Sequence, residues 1–307
     1  MPWPSPMGNT GPHGDVAASA RDRVSGRAPA KINLSLHVLG QREDGYHRLE
    51  SLVAFAGVGD AVTLAPAATV SLTVTGPFAG ALLDESDNLV LRAARALAEL
   101  TGVREGARIV LSKALPVSAG IGGGSADAAA TLRGLCQLWN VAPDAEALSR
   151  LALSLGADVP ACLYARPAIV GGIGEILTPL PTLPSAWLVL VNPRVTVPTG
   201  QVFRALNKRF GQPREPWPKP PGSVEEMARW LEHERNDLEA PARTVAPTVN
   251  TALAEIDDTQ GCLLTRMSGS GATCFGLYAT PDAARAAAAR ISTAHPTWWV
   301  EATPLNT

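Results

Sequence analysis

The stretch Pro116-Val117-Ser118-Ala119-Gly120-Ile121-Gly122-Gly123-Gly124-Ser125-Ala126 puts three consecutive glycines directly ahead of a helical pattern carrying Ala128, Leu132, Leu135 and Trp139. Glycines add no side chain to a core and cost chain entropy, so three in a row point to close approach of the backbone by something bulky. A helix start presents unpaired N–H groups and the positive end of the helix dipole, so the natural guest is an anion such as a phosphate. Ser125 adds a hydroxyl donor. Asp127 suits the dipole in the first turn, but is expected to point away from the phosphates. The plain alternative is a loop before a helix, and so glycine-rich a loop is rarely without purpose.

Other glycine-rich motifs fit less well. A Walker A loop needs Gly-Lys, which the chain lacks, and the dinucleotide fingerprint ends in glycine where this sequence has Ser125. No nucleophile elbow of the form G-x-S-x-G occurs. His233-Glu234 begins a zinc-protease motif whose second histidine is replaced by Asp237.

Two further segments carry reactive side chains. From Lys31 to Val38 polar and apolar residues alternate, which predicts a half-buried strand with Ile32, Leu34, Leu36 and Val38 on the core face. Lys31, Asn33, Ser35 and His37 then share the other face. Asp158, before Val159-Pro160-Ala161, reads on local sequence alone as a helix N-cap.

The elements that must position these groups are legible in part. Asp44-Gly45 signals a turn, followed by an extended run from Tyr46 to Phe55. Helices are predicted over Asn88–Leu100 after Asp87, over Ala145–Leu155 with Gly156 as a left-handed C-cap, and over Pro281–Ser292, and Met227–Glu234 reads as the end of a short helix. Strands are predicted at Arg108–Ser112, at Trp187–Val191 and around Phe275 and Leu277. Gly211–Ser223 holds five prolines and reads as a loop or insertion, and Met1–Ser25 as a tail. The mixed order of helices and strands predicts an α+β chain of two domains, 26–165 and 166–307.

Composition narrows the class. With 46% hydrophobic and 18% charged residues, 307 residues suit a globular protein with a sizeable core. A formal net charge of −2 and no basic run argue against a nucleic-acid partner. No apolar run is long enough to span a bilayer, no signal-peptide core opens the chain, and the four scattered cysteines suggest neither a zinc site nor disulfides. A cytoplasmic protein without nucleic-acid or membrane partners is expected.

These residues, taken in order, resemble a known family. Pro116–Ala126 resembles the phosphate-binding motif of the GHMP small-molecule kinases, and Ser268-Gly269-Ser270-Gly271-Ala272 looks like their C-terminal glycine loop. Ala30-Lys31-Ile32-Asn33, Asp44-Gly45-Tyr46-His47, Asp87-Asn88-Leu89, Gly156-Ala157-Asp158-Val159-Pro160 and Gly171–Glu175 resemble the branch acting on a diphosphocytidyl methylerythritol. The resemblance implies an N-terminal domain like ribosomal protein S5, a ferredoxin-like C-terminal domain and an active site between them. It implies ATP as co-substrate, Mg²⁺ with it, and transfer of the γ-phosphoryl group to the 2-hydroxyl of a cytidine diphosphate substrate in the non-mevalonate isoprenoid pathway. By the same resemblance Asp158 and Lys31 are catalytic, and Asn33, Tyr46, His47, Thr199 and Phe203 contact substrate. Asn88 and Lys113 match positions near the adenine. Against this reading stand another GHMP kinase, acting on homoserine, mevalonate or a sugar, and a nucleotide-binding sensor without catalysis. The sequence offers no acidic pair for the metal and leaves the oligomeric state unknown.

Overall fold

The computed structural model describes residues 23–82, 87–207, 209–214 and 220–305. In chain order the first half holds β1 (Val24–Asn33), β2 (His37–Gln41), β3 (His47–Ala67), β4 (Ser71–Thr75), α1 (Leu89–Thr101), β5 (Gly106–Ser112), α2 (Gly123–Leu138), α3 (Ala145–Leu155) and α4 (Val159–Tyr164). The second half holds β6 (Ala168–Gly172), β7 (Ile176–Pro179), β8 (Ala186–Asn192), α5 (Thr199–Ala205), α6 (Val224–Glu232), α7 (Glu239–Val245), α8 (Thr248–Asp257), β9 (Cys262–Met267), β10 (Cys274–Tyr278), α9 (Pro281–Ala294) and β11 (Trp299–Leu305).

The long strand β3 organises the N-terminal sheet. It pairs antiparallel with β1, β2, β5 and β6, and β4 adds to β5 in parallel. Helix α2 lies across this sheet because its inner face is small. Ala128, Ala129 and Ala130 are buried, and a methyl group on Gly134 would lie 2.1 Å from Leu64 Cδ1. That close seating fixes where the helix, and therefore its N-terminus, points.

The C-terminal sheet runs β11-β8-β10-β9 and is antiparallel throughout. Numbered within the domain, its strands lie in the order 4-1-3-2, with helices between the first and second and between the third and fourth, which is the ferredoxin-like arrangement. One pair, Leu305 with Ala56, joins β11 to β3 and so links the two sheets.

Several expectations need correction. The strand predicted over 31–38 is interrupted at Leu34–Leu36, between β1 and β2. Nor is it half-buried: Lys31, Asn33, Ser35 and His37 are all at least 96% buried. Both domains cover that polar face: Lys31 pairs with Asp158 and Asn33 donates to Ser51, while His37 pairs with Glu234. Leu36 N donates to Arg235 O, and the Arg266 guanidinium donates to Leu34 O at 2.8 Å. The boundary expected after 165 cuts β6 and β7 from their own sheet, because β6 pairs with β3 over 49–53. The passage to the second sheet falls between β7 and β8. Of the expected tail, residues 1–22 lie outside the described residues, while Val24 and Ser25 already pair with β3. Asn88 rather than Asp87 caps α1, accepting from Val90 N at 2.9 Å. Gly156 closes α3 in an extended conformation rather than a left-handed one. Helix α6 runs from Val224 to Glu232, two residues short of the predicted end, with the Ser223 hydroxyl accepting from Glu226 N. Of the proline-rich stretch, residues 215–219 lie outside the described ones.

Candidate active site

A cavity of about 1210 Å³ opens between the two sheets. That exceeds what one drug-sized ligand needs, and suits two substrates held side by side. The glycine stretch forms its floor. Gly122, in the left-handed region at φ 61°, occupies the N-cap of α2 with no side-chain cap. The first intrahelical bond is donated by Ala126 N to Gly122 O, so the N–H groups of residues 123–125 precede the helical ladder.

The glycines serve different purposes. A methyl group on Gly120 (φ 75°) would lie 2.6 Å from Gly271 O and 2.7 Å from Ser268 O. The first glycine loop therefore packs backbone to backbone against the second, and the Ser268 hydroxyl donates to Gly120 O at 3.0 Å. A methyl on Gly123 would face Lys113 Nζ at 3.2 Å, beneath the loop, whereas one on Gly124 would meet no protein atom within 4 Å. Pro116–Gly120 and Gly122–Ser125 line the cavity. Ile121 and Ala126 do not: both side chains are buried in the core. Ile121 contributes its carbonyl, which accepts from Lys31 N at 2.9 Å and moors β1 beside the loop.

That mooring places Lys31 against Gly122. Its ammonium lies 2.6 Å from Asp158 Oδ1, the lysine side chain 5% exposed and the aspartate 46%. Asp158 occupies the N-cap position of α4, yet its side chain makes no capping bond. The local sequence reading of a cap therefore gives way to the ion pair. A methyl on Gly174 would lie 2.1 Å from Ala157 O, so the turn before β7 presses on the chain next to Asp158 and holds it in place.

Lys113 is buried beneath the loop, bonded to Asp60 at 2.5 Å and to Asp127 at 2.8 Å. Asp60 Oδ1 also accepts from Ala114 N and Leu115 N. The cluster thus ties β3, the end of β5 and the second turn of α2, rather than its first, together under the phosphate floor. Asp127, expected to point away from the phosphates, pairs with Lys113. One ammonium serves two buried carboxylates. Burial pushes Asp127 up to about 7, with Lys113 opposing and the Asp60 charge adding to the rise. Lys113 itself is raised: its burial works against this and is outweighed by the two carboxylates.

At the other end, the His47 ring stacks on Phe203 with centroids 4.5 Å apart, and Phe210 meets it edge-on at 6.3 Å. Burial lowers the His47 pKa, so the ring is neutral near pH 7. Tyr46 presents an exposed aromatic face alongside. Thr199 Oγ1 shares a 2.9 Å hydrogen bond with Ser270 Oγ of the second glycine loop. Asn33 Nδ2 donates to Ser51 Oγ at 2.7 Å, leaving buried Oδ1 without a partner at the cavity wall. Asn88 also lines the cavity. His37, by contrast, sits outside it in a buried 2.7 Å pair with Glu234.

Sequence reasoning did not single out Asp60 or Ser51 and assigned no role to Ser270. Ser270 lay within a stretch already noted for its glycines. Asp60 and Ser51 carry no local signal and are found only through strand register.

No helix among the described residues is long and apolar enough to cross a membrane. Residues 88–166 match the GHMP kinases N terminal domain, and residues 219–297 match the GHMP kinases C terminal family. The 4-diphosphocytidyl-2-C-methyl-D-erythritol kinase of Paramagnetospirillum magneticum is 58% identical over 273 residues, 89% of this chain and 95% of that protein. A crystal structure of 4-(cytidine 5'-diphospho)-2C-methyl-D-erythritol kinase superposes with a TM-score of 0.76 at 37% identity, covering 92% of this chain and all of that one. A homoserine kinase from Cytophaga hutchinsonii, 19% identical with a TM-score of 0.70 over 95% of this chain and 96% of its own, shares the fold. Two matched domains and this level of identity over nearly the whole chain place the protein in the GHMP kinases, within the 4-diphosphocytidyl-2-C-methyl-D-erythritol kinase family.

Proposed function

We propose that the protein transfers the γ-phosphoryl group of ATP to the 2-hydroxyl of 4-diphosphocytidyl-2-C-methyl-D-erythritol, a step of non-mevalonate isoprenoid synthesis carried out in the cytoplasm. The observation carrying this reading is the Lys31–Asp158 couple, set between a phosphate floor and a stacked aromatic pair in one cavity. Phosphoryl transfer asks for alignment and charge stabilisation more than for covalent chemistry. The N–H groups at the start of α2 grip the triphosphate, with Ser125 adding a hydroxyl. Asp158 accepts the acceptor hydroxyl's proton, or holds that hydroxyl in line with the γ-phosphorus. Lys31 keeps Asp158 ionised and draws the charge of the transferring group.

The cytosine lies against Phe203 and Tyr46, with the neutral His47 ring able to donate or accept at its edge. Asn33 Oδ1 and Thr199 are placed to take hydroxyl donors from the methylerythritol. Lys113, expected near the adenine, is better read as a support: its charge is taken up by Asp60 and Asp127.

Among the described residues no group of three side chains could hold a metal ion. Mg²⁺ characteristically keeps waters and binds through substrate phosphates, so the site suits an ion carried in on ATP rather than a cage of protein ligands. Bound there, it would supply charge neutralisation at the phosphate oxygens.

Homoserine and mevalonate kinases share the fold at identities below 20%. An acceptor panel with ATP separates them from the reading above. Turnover is expected with the cytidine substrate alone, and turnover of mevalonate or homoserine without it would overturn the assignment.

A further inference from the structure

The charges lining the cavity are almost all spoken for by the protein itself. Lys31 is paired with Asp158, Lys113 with Asp60 and Asp127, and Asp44 with Arg42. Arg204 is the exception. It lines the cavity with its side chain exposed, and among the described residues its guanidinium has neither an ion pair nor a hydrogen-bond acceptor.

Its position is specific. Helix α5 joins the two ends of the acceptor site: Thr199 at its start bonds Ser270 of the second glycine loop, and Phe203 near its end stacks on His47. Arg204 follows Phe203 but lies on the face of Gly200, four residues earlier. A methyl group on Gly200 would lie 3.5 Å from Arg204 Nη1. The guanidinium therefore folds back along α5, from the aromatic end toward the reacting end. Gly200, having no side chain, leaves that path open.

An acceptor with its base on Phe203 and its reacting hydroxyl at Asp158 must lay its diphosphate across this interval. We propose that Arg204 holds the diphosphate of the nucleoside diphosphate acceptor and so selects for it over the bare nucleoside. The inference rests on the acceptor assigned above. A guanidinium fork matches two phosphate oxygens in one plane, which an ammonium cannot do. The triphosphate of ATP is served separately by the α2 N-terminus, so Arg204 acts on one substrate only.

The test uses CDP and cytidine as probes of the full-length protein, with calorimetric Kd values for wild type, Arg204→Ala and Arg204→Lys. Wild type is expected to prefer CDP over cytidine by about tenfold or more, and to lose that preference as salt rises. In Arg204→Ala the preference should collapse to within about twofold, with cytidine affinity and the KM for ATP unchanged; Arg204→Lys should recover only part of it. Because Arg204 is exposed on a helix surface, an unaltered Tm is expected to accompany the change. Full preference for CDP in Arg204→Ala would overturn the inference, as would its absence from wild type. Failure of the functional reading looks different: wild type would then leave the cytidine acceptor unphosphorylated, whatever Arg204→Ala does.

Discussion

Lys31 Nζ lies 2.6 Å from Asp158 Oδ1, and both line the cavity, the lysine side chain 5% exposed and the aspartate 46%. The aspartate is the more open member, with the lysine ammonium beside it at the cavity wall. Asp158→Asn keeps the shape, loses the base and leaves the phosphate floor intact. Turnover should fall by about a thousandfold, within the range general-base loss produces. ATP affinity, measured by calorimetry, should stay within about threefold. Full activity in this variant would remove the assigned role.

The glycines make a sharper test than the motif suggests. Sequence alone treats Gly123 and Gly124 as equal parts of one cradle. The structure separates them, because a side chain on Gly123 runs into the Lys113 cluster while one on Gly124 enters the cavity. Gly124→Val should therefore cost ATP affinity, by about a hundredfold or more, with a Tm close to wild type. Gly123→Val should lower Tm first, because a β-branched group is forced against buried charges. Equal effects on Tm and on ATP binding in both variants would refute this division.

How much could be read from residues alone follows from where each signal resides. The phosphate floor was legible because its glycines are contiguous and precede a helix, so one local segment carries the whole message. The Lys31 strand was legible as an alternation, but its burial was not, since part of its cover comes from residues more than 200 positions away: Ser268 Oγ accepts from Asn33 N, and Arg266 donates to Leu34 O. Asp60 was silent. It stands in mid-strand, and its meaning arises only when β3 pairs with β5 and brings it to Lys113. The return of the chain to the first sheet after 165 was silent for a similar reason. A break in pattern near 165 marks the end of α4, whereas β6 returns to the first sheet through pairing that no local pattern reveals.

The cluster beneath the floor makes stability depend on pH. Asp127 is raised to about 7 against an ordinary value of 3.8. The folded protein therefore binds this proton more tightly than the unfolded chain does. The stability so gained is complete below the unfolded pKa and is lost as pH rises through the folded one. Asp127→Asn has no such proton to lose. Urea unfolding at pH 5.5 and pH 8 should show wild type losing stability relative to the variant as pH rises. Parallel behaviour of the two proteins would mean that Asp127 does not titrate in this window.

The base pocket makes a separate prediction at lower pH. Burial lowers His47, and the aromatic rings around it offer a protonated imidazole no carboxylate partner. The neutral ring keeps one donor and one acceptor for the cytosine edge; protonation converts the acceptor into a donor. The KM for the cytidine substrate should hence be level between pH 7 and 8 and climb only as pH falls below the ordinary histidine value. His47→Asn retains a donor and an acceptor without titrating, so its KM, though higher, should lose this rise. Phe203→Ala exposes the ring to water and should move the His47 titration, followed by NMR, back toward 6.5. A His47 titration unmoved by Phe203→Ala would show that the stacked contact does not set the ring's charge.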